Sequence, residues 1–188
     1  MINIIENEFN EHIKTVKLLH HLTDKIAASA KTCIDALNGG GKILLFGNGG
    51  SAADAQHIAA ELIGRFKIVR KGLPAIALTT DTSSLTSIGN DFGFSHVFDR
   101  QVEALANNKD VVIGISTSGN SENVINGLKM ASKLQCKTIG LTGQDGGKMN
   151  SICDINLTTP SLDTPRIQEM HIIIGHIICH LIDQEFNT

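Results

Sequence analysis

Tryptophan and tyrosine are absent from the 188 residues of this chain, and only 7 residues are phenylalanine. A protein so poor in aromatic rings is not expected to bind nucleic acid by stacking bases on them. Neither sign of charge dominates, since 16 Lys and Arg stand against 19 Asp and Glu for a net charge of −3. Nucleic-acid binders carry a clustered basic excess, so we expect no nucleic-acid partner. The composition does not exclude a small anionic ligand, because backbone N–H groups and hydroxyls bind phosphate without Lys or Arg.

Cysteine is scarce, and long apolar runs are missing. The cysteines form no CxxC pair and no zinc-ribbon spacing, and each lies in an apolar stretch: Cys33, Cys136, Cys153 and Cys179. We expect them to be small buried hydrophobes in a reducing cytosol. The longest apolar run, residues 172–178, is interrupted by Gly175 and His176 and is too short to span a bilayer. With no signal-peptide pattern at the first residues, we expect a cytoplasmic protein without a membrane partner.

The apolar pattern predicts an α/β fold. The length suits one compact domain, residues 1–188. The first forty residues have helical periodicity, and five short apolar runs then alternate with helical segments: Lys42–Phe46, Ala75–Thr79, Val111–Ile115, Thr138–Leu141 and Ile155–Thr158. Continuous apolar runs are typical of parallel strands covered on both faces, which predicts a three-layer sandwich. The last helix should start near Thr164 and Pro165 and run to about Phe186.

The N-terminal helical stretch precedes the first strand and is not needed as a crossover between strands. It is therefore an extra helix, and two placements are open. It can pack on a second subunit, or it can cover the sheet of its own subunit.

Two loops rich in Gly and Ser follow predicted strands. One has the sequence GNGGSAAD at residues 47–54, and the other has STSGNS at residues 116–121. Both lie where a strand ends and a helix begins, so free N–H groups and the helix dipole favour an anion there. The first loop also fits the dinucleotide fingerprint, with Asp81 as the ribose-binding acid. However, Asp81 comes later than that fingerprint requires, and the Ser/Thr loop is left unexplained. A tight turn with a helix cap is the structural alternative for either loop, and it is less suited to explain both.

Groups that can transfer protons follow these loops. His57 and Glu61 stand at i and i+4 on one helix face, and the carboxylate lies among apolar neighbours. Gln168 and His176 lie two turns apart on nearly the same face of the last helix. Two imidazoles, a carboxylate and an amide oxygen also suit zinc acting as a Lewis acid. A structural role is the alternative for each histidine. Asn90 and Asp91, beyond the second strand, have the side chains to bind a polyol or to cap the following helix.

Together these residues resemble the sugar isomerase (SIS) fold and, within it, the phosphoheptose isomerase family. The matching segments are GNGGS at 47–51, His57 with Glu61, GNDFG at 89–93, STSGNS at 116–121, LTG at 141–143, DGG at 145–147, and RIQEMH at 166–171. They cover nearly the whole chain in order, which makes the resemblance specific. One departure is visible: Pro165 precedes Arg166, where some family members carry Asp. We assign no catalytic role to the nearby Asp163.

The resemblance implies a homotetramer of single SIS domains, each with a five-stranded parallel sheet. It implies conversion of D-sedoheptulose 7-phosphate to D-glycero-D-manno-heptose 7-phosphate through an enediol, at the entry to nucleotide-activated heptose for bacterial surface polysaccharide. No nucleotide cofactor is needed. The implied acid–base pair is Glu61 and His176, and the implied zinc ligands are His57, Glu61, Gln168 and His176. The implied substrate contacts are Asn48, Gly49, Gly50, Glu61, Asn90, Asp91, Ser116, Thr117, Ser118, Ser121 and Gln168.

Three other functions are weighed against this one. A non-catalytic relative that binds the bacterial replication initiator resembles the chain over much of its length, but it lacks the Glu and the last-helix His found here. An isomerase of another sugar phosphate is excluded less firmly, because the motifs mainly recognise phosphate and polyol. A phosphosugar-sensing regulator is disfavoured, since no DNA-binding module is appended.

Overall fold

The computed structural model describes residues 1–187, and its centre is a parallel sheet of five strands in the order β2-β1-β3-β4-β5. The strands are β1 Ile43–Gly47, β2 Ala75–Ala77, β3 Val111–Ser116, β4 Lys137–Gly143 and β5 Ile155–Thr159. Each coincides with a predicted run, with ends shifted by no more than two residues. Strands β1 and β3 are buried along their whole length, as expected where helices cover both faces. The prediction of a five-stranded parallel sheet between helices is confirmed.

Helices connect the strands and form the two outer layers. They are α1 Ile2–Leu18, α2 Thr23–Asn38, α3 Gly50–Ile63, α4 Thr82–Phe92, α5 Asp99–Leu105, α6 Glu122–Lys133 and α7 Thr164–Glu185. Short 3₁₀ turns span Leu19–Leu22, Phe94–His96 and Gly147–Ser151. Helix α7 begins at the predicted residue, with Pro165 in its first turn. Within residues 1–187, no helix combines the length and apolar composition needed to cross a bilayer.

The two faces of the sheet bury separate apolar clusters, because successive side chains of a strand point to opposite faces. Ile43 and Leu45 of β1 pack with the layer formed by α2, α3 and α7. Leu44 and Phe46 pack with the layer that contains α5 and α6, where the rings of Phe46 and Phe98 stack with centroids 4.8 Å apart. The alternation fixes each strand's register and holds its carboxyl end at one edge of the sandwich.

The two helices of the N-terminal region differ in how much of their apolar surface the chain itself covers. Helix α2 covers its own sheet, burying Ile26, Ala30 and Cys33 against α7 and β5. Helix α1 keeps apolar side chains exposed, including Phe9 at 65% and Ile13 at 47%. It is attached to α7 by polar contacts and leaves part of its apolar face uncovered in the single chain.

The cysteines are free thiols. Cys33, Cys136 and Cys179 are buried, as predicted, and Cys153 is half-buried. Burial raises the pKa of Cys33 and Cys179 to about 12, so both thiols stay protonated near neutral pH.

Candidate functional site

The strand order places the two predicted loops side by side. Strand β1 has β2 on one side and β3 on the other, so the chain reverses its direction of winding between them. Ligands of open α/β sheets bind at such a switch point, outside the carboxyl ends of the strands. Gly47, the last residue of β1, pairs with Ile115 of β3. The loops that follow both strands therefore meet at one edge of the sheet.

The loop after β1 is held close to α7. Gly49 has φ +57°, a left-handed conformation that favours glycine. A Cβ on Gly50 would lie 2.6 Å from Nε2 of Gln168, so the Gln168 side chain lies against the backbone of Gly50. The N-cap residue of α3, Gly49, has no side chain to bond the first-turn N–H groups. Ser51 N–H donates to the Asn48 carbonyl and Ala52 N–H to the Gly49 carbonyl, each at 3.0 Å, and the helix dipole still favours an anion at this end.

The loop after β3 carries a cluster of hydroxyls. Ser116 Oγ lies 2.9 Å from Ser121 Oγ and 3.5 Å from Ser118 Oγ. Ser121 is the N-cap of α6, and its side chain does not cap the helix. Gly119 has φ +65° and packs on the Gly146 carbonyl, where a Cβ would lie 2.1 Å away. The hydroxyls and the N-terminus of α6 thus lie on the same loop, whose conformation requires glycine.

His57, Glu61 and His176 form one cluster, with one donor atom from each residue within 4.8 Å of the others. The sequence prediction that His57 and Glu61 share a helix face is confirmed, because Nε2 of His57 lies 3.1 Å from Oε1 of Glu61. Helix α7 brings His176 Nε2 to 3.4 Å from His57 Nε2. Two imidazoles and a half-buried carboxylate in this arrangement can exchange protons or hold a cation.

His176 is held in place and kept neutral by its surroundings. Its ring stacks on Phe66, with centroids 5.0 Å apart. Burial, together with His57 and Lys67, lowers the pKa of His176 below its ordinary value, and the negative Glu61 opposes this shift. A neutral imidazole can accept a proton at pH 7, which suits both acid–base chemistry and metal ligation.

Asn90 and Asp91 lie at the end of α4, and both are exposed. Asn90 Nδ2 donates to Asp91 Oδ1 at 2.8 Å, so the two side chains bond to each other. They do not cap the following helix, because the N-cap of α5 is Phe98. Asp81, the alternative ribose-binding acid, instead caps α4 by accepting hydrogen bonds from the backbone N–H and the hydroxyl of Ser84. These two bonds lower the pKa of Asp81.

A buried ion pair beside the cluster was not predicted from the sequence. Asp183 of α7 and Arg70 are almost fully buried, with side chains 0% and 1% exposed. Asp183 accepts from Arg70 Nε at 2.7 Å and from the backbone N–H groups of Lys67 and Ile68. Arg70 Nη2 donates to the backbone carbonyl of Glu61. The pair therefore joins α7 to the end of α3 that carries the cluster carboxylate.

Two groups on α7 have structural surroundings. His171 is buried, its Nε2 lies 3.0 Å from the Thr142 carbonyl, and burial lowers its pKa to about 4, opposed by that hydrogen bond. Arg166 and Glu169 bond to each other and attach α7 to α1, where Glu169 Oε2 lies 2.7 Å from His12 Nδ1. Asp163 is exposed at the N-cap of α7 and makes no side-chain capping bond.

Comparisons with known proteins agree on one family. A family model of the SIS domain matches residues 8–143. The phosphoheptose isomerase of Aliarcobacter butzleri is 62% identical over 188 residues, which is the whole of both chains. A solved phosphoheptose isomerase from Neisseria gonorrhoeae has 46% identity and a TM-score of 0.92, covering 97% of this chain and 98% of its own. Another, from Francisella tularensis, has 40% identity and a TM-score of 0.94 over the same shares.

Proposed function

The chain belongs to the phosphoheptose isomerase family, and we propose that it acts through the residues gathered at its β1–β3 switch point. It is an isomerase of sedoheptulose 7-phosphate and acts in heptose biosynthesis. The observation that supports the proposed site is the approach of Glu61 and His176 to each other beside two loops suited to phosphate and polyol. The non-catalytic scaffold is not supported, because the relatives compared above are named as isomerases.

The chemistry follows from the residue types. An aldose and its ketose interconvert when a proton moves between C1 and C2 through an enediol, so no redox cofactor is needed. In our proposal, the Glu61 carboxylate takes the proton from one carbon and returns it to the other. His176, kept neutral by its lowered pKa, moves protons between the two oxygens. Substrate contacts are proposed for the backbone and side chains of the two loops, for Asn90 and Asp91, and for Gln168.

Activity is tested directly by incubating the purified protein with sedoheptulose 7-phosphate and following the sugar carbons by NMR. Resonances of D-glycero-D-manno-heptose 7-phosphate should grow to an equilibrium mixture. In deuterated water, deuterium should enter at C2 of the aldose if the carbon-bound proton exchanges at the carboxylate. A protein inert toward this ketose but active on another sugar phosphate would contradict the proposed substrate. One inert toward every sugar phosphate, yet binding a replication protein tightly, would contradict the enzyme assignment.

The loop at residues 116–121 is proposed as the main phosphate-binding element. Replacing both Ser118 and Ser121 by Ala should raise KM by about 10- to 100-fold, because each lost neutral hydrogen bond contributes about 0.5–1.5 kcal/mol. Steady-state kinetics and calorimetric binding of the sugar phosphate measure this. Ser132→Ala is the matched control, since Ser132 is exposed at the far end of the same helix. Unchanged affinity in the double variant would contradict the assignment.

A zinc ion is proposed at the cluster, and the donor geometry fits it. A tetrahedral zinc with bonds of about 2.0–2.1 Å spaces its ligand atoms about 3.4 Å apart. The observed separations are 3.1 Å between His57 and Glu61 and 3.4 Å between His57 and His176, and the donor atoms of Glu61 and His176 lie within 4.8 Å of each other. Gln168 is the proposed fourth ligand. Zinc there would supply Lewis-acid polarisation of a carbonyl or hydroxyl oxygen of the sugar.

Metal analysis of the purified protein should find close to one zinc per chain, and His57→Ala should lose it because a three-donor core is broken. Elemental analysis gives this result independently of activity. Chelation should lower turnover, and added zinc should restore it. Full activity with no bound metal would leave His57, Glu61 and His176 with acid–base and hydrogen-bonding roles alone.

A homotetramer is proposed as the working assembly. Its support is the apolar face of α1, where Ile2, Ile5, Phe9 and Ile13 are between 47% and 71% exposed. Contiguous exposed apolar side chains of this kind mark association surfaces. Light scattering should give four times the 20.1 kDa mass of the chain.

We also propose that residues 1–188 form a single SIS domain. A cytoplasmic location is proposed as well, because the free thiols suit a reducing compartment.

A further inference from the structure

The side chain of Asn48 is paired with that of Asn123 across the switch point. Asn48 Nδ2 donates to Asn123 Oδ1 at 2.8 Å, and Asn123 Nδ2 donates to Asn48 Oδ1 at 2.9 Å. The two residues are 75 positions apart and belong to the β1 loop and to the first turn of α6. The residues flanking Asn48 are Gly47, Gly49 and Gly50, which have no side chains. Asn48 therefore carries the only side chain that can anchor this segment to the neighbouring loop.

The direction of this pairing is set by the backbone of α6. The N–H of Val124 donates to Asn123 Oδ1 at 2.9 Å, and only the oxygen of an amide can accept it. This bond orients the Asn123 amide. Because Asn123 then presents one oxygen and one N–H toward Asn48, it orients the Asn48 amide as well. The orientation of the loop side chain thus follows from a helix whose N-terminus lies on the other loop.

Counting donors and acceptors separates the roles of the two residues. Asn123 is 4% exposed, and both lone pairs of its oxygen are used, by Asn48 and Val124. It has no acceptor left for a ligand, and its second N–H belongs to a side chain that is buried. Asn48 is half-buried and uses one N–H and one lone pair in the pairing, so one N–H remains free with a fixed direction. At this edge of the sheet, a ligand oxygen can reach the half-buried Asn48. The buried Asn123 acts on the ligand through Asn48.

We propose that Asn123 is a positioning residue that fixes the Asn48 amide and holds the two ligand-binding loops in register. The group that the free Asn48 N–H meets is an oxygen of the phosphorylated polyol, so the inference rests on the proposed function. Without Asn123, the Asn48 amide can flip and the glycine segment around it can move. The bound sugar phosphate then meets a site that must be ordered on binding, which weakens affinity.

The test is a double-mutant cycle on the dissociation constant of sedoheptulose 7-phosphate, measured by calorimetry. Asn48→Ala and Asn123→Ala should each weaken binding by about tenfold, as expected for the loss of one or two hydrogen bonds. The double variant should also lose only about tenfold, because the second residue acts through the first; independent residues would give about a hundredfold. Asn123→Ser serves as the second variant if Asn123→Ala does not fold.

Asn107→Ala is the control. Within residues 1–187, the Asn107 side chain accepts one hydrogen bond, from the Lys109 N–H at the opposite edge of the sheet. The Asn107→Ala variant should leave affinity unchanged. An Asn123 variant that lowers the urea midpoint but binds like the wild type would reduce Asn123 to a structural role and overturn the inference. The inference would also be overturned if Asn123→Ala weakened binding by the same factor in the wild-type protein and in the Asn48→Ala variant. Turnover of the wild-type protein tests the proposed function separately. The double-mutant cycle measures dissociation constants, so it can be completed even for a protein that binds the sugar phosphate without isomerising it.

Discussion

Replacing Glu61 by Gln should lower kcat by about two to four orders of magnitude, the usual contribution of a positioned acid or base. Gln keeps the size of the side chain and most of its hydrogen bonds but cannot accept the carbon-bound proton. The carboxylate is well placed for this role, since its Oε1 lies 3.1 Å from His57 and the cluster reaches His176. NMR of the sugar carbons measures the rate, and calorimetry should show that phosphate-dependent binding survives.

Glu103→Gln is the matched control for Glu61→Gln. Glu103 is an exposed helical glutamate paired with Arg100 on α5, and its replacement should leave kcat unchanged. Zinc content is measured on both variants, so that loss of the metal is distinguished from loss of the base. If Glu61→Gln kept more than about a tenth of wild-type turnover, a positioned base would be ruled out at this residue.

His176→Gln should also lower kcat strongly, because the neutral imidazole that moves protons on the sugar oxygens is removed. The double variant Glu61→Gln with His176→Gln should be little worse than the weaker single variant, since groups that act as one unit are not additive. Multiplied losses would mean that the two residues serve separate steps. The Phe66 ring that stacks on His176 is retained in all these variants.

The local parts of this structure were predictable from the sequence. Runs such as Val111–Ile115 predict strands because a strand covered on both faces needs apolar residues at consecutive positions. The His57–Glu61 contact follows from helical spacing alone. The position of both loops at strand ends predicts a shared edge, because parallel strands have their carboxyl ends on the same side. Each of these inferences uses a pattern of neighbouring residues: an apolar run, a helical spacing, or the junction of a strand and its loop.

The long-range partners were not predictable in the same way. Asn48 meets Asn123 across 75 positions, and Arg70 meets Asp183 across 113. Neither pair has a spacing rule, because packing of separate helices decides which polar side chains meet. The apolar periodicity of α1 likewise predicts an apolar face but not what covers it, and part of that face is exposed in the single chain. The local sequence gives no signal for the buried pair, because Arg70 is followed by Lys71 and Asp183 by Gln184.

Asp183→Ala should lower the free energy of unfolding by about 3–5 kcal/mol, the usual effect of removing one partner of a buried ion pair. Asp183 is 0% exposed and bonds the Arg70 guanidinium and two backbone N–H groups. Its removal leaves the buried guanidinium without its counter-ion and the N–H groups of Lys67 and Ile68 without their acceptor. Urea unfolding at pH 7 measures the change. Turnover should fall as well, because Arg70 also bonds the backbone of Glu61.

Asp35→Ala is the control for this last prediction. Asp35 pairs with Lys31 at 3.0 Å, but both side chains are more than half exposed, and such pairs contribute at most about 1 kcal/mol.

The pH dependence of stability supplies a second test of Asp183. Burial raises the pKa of Asp183, but the N–H groups of Ile68 and Lys67 and the Arg70 guanidinium outweigh it, so the pKa is lowered. The carboxylate's stabilisation is therefore complete above the unfolded pKa of about 3.9 and disappears as pH falls through the folded value. The gap between wild type and Asp183→Ala should narrow below pH 4; a gap equal to that of Asp35→Ala at pH 7 would contradict the prediction.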